Sequence, residues 1–110
     1  ISFFELCSRY LDDRFTFAIE VNYPSGRSDW EMLGRKGSGF DNVKYLVEFK
    51  YFTSQDAKEE KVLKWKAPRG KELNQINGYA KDILAQFPEY NMKKAVIYVA
   101  SNKGFKYFGV

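Results

Sequence analysis

Asp29, in Gly26-Arg27-Ser28-Asp29, and the run Val47-Glu48-Phe49-Lys50 carry residue types suited to phosphodiester chemistry. In an extended strand, side chains at i and i+2 share a face, so Glu48 and Lys50 project together. If the segment carrying Asp29 pairs with that strand, two carboxylates and one ammonium meet at one spot. Oxygen ligands of this kind can hold a divalent cation and orient a water for hydrolysis. Gln75 and Tyr79 stand at i and i+4 of a predicted helix, which lets both side chains reach one place.

Composition narrows the chemistry further. The chain has no His, which excludes Ser-His-Asp and Cys-His nucleophilic catalysis, HNH-type nucleases and His-ligated zinc. The single Cys7 excludes an internal disulfide framework and a multi-Cys metal site, and reads as a small buried group on a first helix. Hydrolysis must therefore run on carboxylates, Lys, Tyr or a metal. The net charge of +4 suits a polyanionic partner without requiring one. No apolar run is long enough to span a membrane, and the first residues lack the pattern of a signal peptide, so a cytoplasmic location is expected. The 110 residues, with ten Phe and eight Tyr for a core, form one expected domain over 1–110. The chain does not begin with Met, and the expectation is a fragment of a longer protein.

These residues need elements to position them. Residues 2–12 read as a helix, with Ser2 and Glu5 spaced as a capping box and Phe3, Phe4, Cys7, Tyr10 and Leu11 at helical spacing. Residues 14–23 alternate as one strand, with Phe15, Phe17, Ile19, Val21 and Tyr23 on one face. Pro24-Ser25-Gly26 turns the chain, and residues 27–33 return as a hairpin partner. Arg35 to Asn42 reads as a flexible Gly-containing loop. Residues 43–52 form the strongest strand, central because apolar residues occur on both faces. Glu48 and Lys50 break that pattern, which is where function is expected.

Residues 54–66 read as a helix interrupted by Ala67-Pro68-Arg69-Gly70, and residues 71–87 as a helix ended by Pro88. The second of these carries a core stripe of Leu73, Ile76, Ala80, Ile83, Leu84 and Phe87. A second stripe of Gln75, Tyr79, Asp82 and Gln86 lies about 100° around the helix. Residues 94–101 form a buried strand and residues 105–110 a last short one. The strand–helix–strand step from 43 to 101 predicts a right-handed crossover between parallel strands, in a mixed sheet with helices on both faces.

Asp29, then Glu48-Phe49-Lys50, in this order of elements, resembles the PD-(D/E)XK nuclease superfamily. Gln75-Ile76-Asn77-Gly78-Tyr79 resembles the Q-x-x-x-Y signature of its RecB and lambda-exonuclease branches. The Gly-Arg-x-Asp spacing is most similar to the nuclease-like domain that follows an AAA-type ATPase domain in many bacterial and archaeal proteins. The resemblance covers nearly the whole chain. It implies an α/β fold with a restriction-endonuclease-like αβββαβ core, a mixed sheet flanked by helices. It further implies metal-dependent hydrolysis of nucleic acid, DNA favoured, with an ATPase domain of the same longer chain as a partner.

By that resemblance, Asp29 and Glu48 would bind Mg²⁺ or Mn²⁺ with the Phe49 backbone carbonyl as a third ligand. Lys50 would orient the attacking water or neutralise developing charge, and Gln75 and Tyr79 would contact the water, the metal shell or the phosphate. Glu5 and Glu20 are further candidate carboxylates, although Glu5 also fits the capping box and Glu20 a solvent-facing strand position. Arg27 should share a face with Asp29. One departure is visible: residues 53–70 are longer and more basic than this branch usually shows. Lys58, Lys61, Lys64, Lys66, Arg69 and Lys71 surround Trp65 there, with only Glu59 and Glu60 opposing. Basic residues around an aromatic suit a surface that tracks a nucleic-acid backbone. The competing reading is a solvated helix face with Trp65 resting on the core. For Glu48 and Lys50 it is a surface ion pair of little energetic worth. For the whole chain the rivals are a nuclease-like module that binds nucleic acid or its ATPase domain without cutting, and an interaction domain with no nucleic-acid role.

Overall fold

The computed structural model describes residues 9–110. Among these, a five-stranded mixed sheet runs in the order β1-β4-β5-β6-β7, with a two-stranded ribbon, β2-β3, at the tip of the first hairpin. The strands are β1 (Phe15–Ile19), β2 (Asn22–Tyr23), β3 (Gly26–Arg27), β4 (Trp30–Gly34), β5 (Val43–Phe52), β6 (Asn91–Ala100) and β7 (Gly104–Gly109). Helices α1 (Ser54–Glu60) and α2 (Gly70–Gln86) connect β5 to β6, with a short 3-10 turn at Val62–Lys64 between them. The predicted helix at 2–12 lies mostly outside the described residues, together with Glu5 and Cys7; residues 9–11 are helical.

β5 is central, as its apolar residues on both faces predict, pairing antiparallel with β4 and parallel with β6. Its alternation divides two cores. Leu46 and Phe52 pack with Ile76, Tyr79, Ala80 and Ile83 of α2. Val47 packs on the other face with Phe15, Trp30, Met32 and Ala95, and Leu11 rests against that group. Glu48 and Lys50 belong to the Leu46 and Phe52 face by the two-residue period, so they lie under α2.

The predicted continuous strand over 14–23 is broken at Glu20, whose φ is 53°. The matching break on the return strand falls at Ser28-Asp29, and two backbone bonds bridge the gap: Glu20 N–H to Asp29 O at 3.1 Å and Ser28 N–H to Val21 O at 2.9 Å. The left-handed residue shifts the alternation. Phe15 and Phe17 pack on the Val47 face, whereas Tyr23 packs with the α2 core. Simple period-2 counting could not see this, because the left-handed residue turns the strand without changing its register: Ile19 faces Trp30 before the break and Asn22 faces Arg27 after it.

α1 is shorter than the predicted 54–66. Thr53 caps its start by accepting from Asp56 N–H at 3.1 Å. Lys61 ends it in the left-handed region at φ 55°, donating its N–H to Ala57 O. On α2, Ile76, Ala80 and Ile83 are buried as expected, but Leu84 and Phe87 are substantially exposed and Glu72 is buried instead. The Arg35–Asn42 loop, read as flexible, is laced by Asp41, which accepts from Gly37 N–H at 2.9 Å through either oxygen.

Candidate active site

The β4–β5 ladder stops at Trp30 opposite Val47. Beyond it, Asp29 replaces strand pairing with side-chain bonds. Its Oδ2 accepts from Phe49 N–H at 2.8 Å, and its own N–H donates to Glu48 Oε1 at 3.2 Å. The break at Ser28-Asp29 thus frees one carboxylate to cross toward the next, and the meeting of acids expected from the sequence takes this form. Glu48 is only 6 % exposed. Burial, reinforced by the neighbouring Asp29 charge and then by Glu72, pushes the Glu48 carboxyl up to about 7. Asp29 Oδ1 and Glu48 Oε2 accept no hydrogen bond among the described residues.

Lys50 lies on the same face of β5 and is half-buried, yet it forms no ion pair among the described residues. The surface ion pair offered as the alternative for Glu48 and Lys50 is therefore absent here. Tyr79 is buried on α2, and its phenol is raised by burial and then by the charges of Glu48 and Asp29. It stays a neutral donor at any neutral pH. A buried and a half-buried acid thus meet with a phenol close by, and Lys50 shares their sheet face by the two-residue period.

A family model of the PD-(D/E)XK nuclease superfamily matches residues 1–108. The chain belongs to the PD-(D/E)XK nuclease superfamily. The mixed α/β architecture is consistent with its restriction-endonuclease-like fold. No curated protein matches the chain significantly. Proteins of this superfamily hydrolyse phosphodiester bonds and typically use divalent metals.

The donor set fits such an ion. Both acids offer hard oxygen ligands, each with an oxygen lacking a donor, and a bound cation would offset the burial, and then the Asp29 repulsion, that drive Glu48 toward protonation. No set of three Asp, Glu or Cys side chains among the described residues is arranged to hold a metal. Glu20 is exposed at the bend, and its backbone N–H donates to Asp29 O.

The hairpin tip is clasped to α2 around this superfamily motif. Asp82 Oδ2 accepts from Ser25 N–H at 3.1 Å and from Ser25 Oγ at 2.5 Å, and the Tyr23 and Tyr79 rings stack at 5.9 Å. Gly26 has φ 138°, and a Cβ there would sit 3.1 Å from Tyr79 Oη. A Cβ on Gly78 would lie 3.2 Å from Ser25 Oγ, which accounts for the glycine inside Gln75-Ile76-Asn77-Gly78-Tyr79. Gln75 itself is exposed, as is Arg27.

Two acids escaped the sequence reading. Glu31, 1 % exposed, accepts from Tyr23 Oη at 2.5 Å and Ser28 Oγ at 2.6 Å, and pairs with Lys44 Nζ at 2.8 Å. It ties Ser28, next to Asp29, to β5. Burial and the Glu31 bond raise the Tyr23 phenol strongly. Glu72 accepts from Arg69 Nε at 2.7 Å and Tyr98 Oη at 2.8 Å. Burial pushes its carboxyl up, but those bonds outweigh burial and hold it below its usual range. The i+2 relation of Glu31 to Asp29 across the break was the available signal for the first; for the second, it was an acid in the first turn of α2.

The basic segment divides. Arg69 is fixed to Glu72 and lies 5.4 Å from the Phe52 ring centroid and 5.6 Å from that of Trp65. Trp65 meets Tyr98 edge-on at 5.0 Å and donates its indole N–H to Glu60 O at 2.9 Å. Trp65 therefore rests against the core and is no free stacking platform, as the competing reading held. Lys58, Lys61, Lys64, Lys66 and Lys71 are exposed.

Proposed function

We propose that this domain hydrolyses phosphodiester bonds in nucleic acid, DNA favoured, in a metal-dependent reaction. The observation that carries the reading is the Asp29–Glu48 contact: a buried Glu48 carboxyl against half-buried Asp29 with no cationic side chain bonded to it, Tyr79 close to both and Lys50 on the same sheet face. Asp29 and Glu48 would hold Mg²⁺ or Mn²⁺, with the Phe49 carbonyl as the third protein ligand. When bound, the ion supplies an acidified water and positive charge at the scissile phosphate. Lys50, unpaired among the described residues, orients the attacking water or offsets charge as it develops on the phosphate. Tyr79, a phenol at neutral pH, donates toward the same oxygens. Gln75 stands one turn before it, at the exposed mouth of the site. Arg27, Lys66 and Lys71 supply exposed positive charge for the polymer.

The test is cleavage of linear, nicked and single-stranded DNA with Mn²⁺ or Mg²⁺, wild type against Lys50→Ala. Loss of cleavage with retained DNA binding supports the assignment. Cleavage undiminished in Lys50→Ala, or in Asp29→Ala and Glu48→Ala, sinks it.

A second reading is a nuclease-like module that docks an ATPase domain of a longer chain without cutting. It is favoured by exposed aromatics on the sheet face away from the acids, with Tyr51 at 70 % and Phe105 at 68 % exposure beside Tyr107. It predicts no product from any of the three DNAs with either metal.

A further inference from the structure

The 3-10 turn and its neighbours build a feature that the motifs do not describe. Lys58 of α1, Lys61 at its left-handed end, Lys64 of the 3-10 turn and Lys103 of the β6–β7 turn line one concavity of about 360 Å³, floored by Ala57 and Leu63. All four lysines are exposed, and none forms an ion pair among the described residues. The acids nearby in sequence are turned elsewhere. Glu59 accepts from Gln55 Nε2 at 3.1 Å, and Glu60 faces Arg69 at 3.8 Å.

The lysines sit on a packed base. Val62 is fully buried in the α2-side core with Ala57, and the Trp65 indole closes the turn on Glu60 O. Like charges gathered from separate elements repel one another, and holding them together without acids suits a polyanion rather than the fold's own stability. The base belongs to the same core as Leu46 and Phe52, hence to the sheet face that carries Glu48 and Lys50.

We infer that Lys58, Lys61, Lys64 and Lys103 form a phosphate-binding groove that takes the sugar–phosphate backbone of the nucleic acid away from the scissile bond. The inference rests on the nuclease reading and replaces the stacking role expected of Trp65 with Lys103, brought in by the fold. The groove has no base-reading device, so its contribution is independent of sequence and strongly dependent on salt.

The test uses the whole domain in EDTA, so that nothing is cut. Binding of a short DNA duplex, its single strand and the matching RNA is measured against salt for wild type, Lys64→Ala/Lys103→Ala, and the charge-matched Lys36→Ala/Lys93→Ala. Each lost phosphate contact should flatten the slope of log K against log salt by about 0.7 to 0.9. The groove variant, short of two contacts, should therefore lose about 1.4 to 1.8, and the control much less. The probe losing most identifies the polymer the groove holds. Equal slopes for the two variants overturn the groove, as does wild-type binding that ignores salt. Cleavage by wild type in Mn²⁺ is scored separately. Cleavage with equal slopes sinks the groove alone, and groove-dependent binding without cleavage sinks the hydrolytic reading alone.

Discussion

Replacing Glu48 with Gln should make the metal-free protein more stable at pH 8 while removing its affinity for a divalent ion. In the folded chain the Glu48 carboxyl is pushed from 4.5 up to about 7, burial being the largest cause and Asp29 the next. The native state thus holds this proton more tightly than the unfolded chain does. Stability contributed at this site is full below about pH 4.5 and falls as pH rises through about 7. At ~1.4 kcal/mol per pH unit, holding Glu48 ionised costs the fold about 3 kcal/mol. Gln keeps an oxygen for Asp29 N–H and carries no charge. Glu48→Gln should therefore raise metal-free stability at pH 8 by about 2 to 3 kcal/mol, roughly 10 °C in Tm for a domain near this size. At pH 5, where folded Glu48 carries its proton, the two proteins should differ by less than about 1 kcal/mol. The assay is urea unfolding with EDTA at both pH values, then with Mn²⁺. Subtracting variant from wild type removes the other titrating groups. Mn²⁺ should stabilise wild type at pH 8 and leave Glu48→Gln unmoved. A difference between the proteins that is the same at pH 5 and pH 8 would refute the reasoning, because the cost would then not be electrostatic.

Further perturbations test the supports of the site. Glu31→Ala strips the partner from Lys44, whose side chain is 14 % exposed, and should cost about 3 to 5 kcal/mol in denaturant unfolding. Tyr79→Phe removes a hydroxyl with no hydrogen bond among the described residues, so stability should move by less than about 1 kcal/mol; a tenfold or larger fall in cleavage rate would mark the hydroxyl as acting in the reaction. Gly26→Ala forces a side chain into φ 138° against Tyr79 and should cost about 1 to 3 kcal/mol by thermal unfolding. Mn²⁺ binding, followed by calorimetry, should weaken about tenfold per pH unit below 7, since the ion must displace the Glu48 proton.

The central strand, its parallel partner and the motif helix were legible because hydrophobic periodicity and turn residues report them directly. Residues 43–52 matched β5 to the residue, and the Gln75 to Tyr79 helix starts within a residue of its expected position. The first hairpin was legible as a hairpin but not in phase. Nothing in Phe15 to Tyr23 announces that Glu20 adopts φ 53°, and that one residue turns Tyr23 toward α2. The basic segment was legible as charge but not as geometry. The left-handed turn at Lys61 cuts the helix short, and the ring cluster of Phe52, Trp65 and Tyr98 draws Arg69 inward. Lys103 joins the exposed lysines only through the pairing of β6 with β7, a long-range contact that local patterns do not encode.

The buried charged side chains among the described residues are Glu31, Glu48 and Glu72. Two of them follow the ordinary rule for buried charge. Glu31 is met by Lys44, Tyr23 and Ser28, and Glu72 by Arg69 and Tyr98. Glu48 breaks it, facing a second carboxylate and one backbone N–H, with no cationic side chain bonded to it. A fold able to neutralise the acids on either side had the means to neutralise this one too, since Lys50 stands two residues away on the same face. The compensated neighbours do two jobs: Glu31 fixes Ser28 and so the approach of Asp29, while Glu72 adds negative charge behind Glu48. Both raise the demand for positive charge at one point on the sheet face. That local imbalance, more than the presence of a Glu-x-Lys pair, separates a site built for a cation from an ordinary ion-pair network.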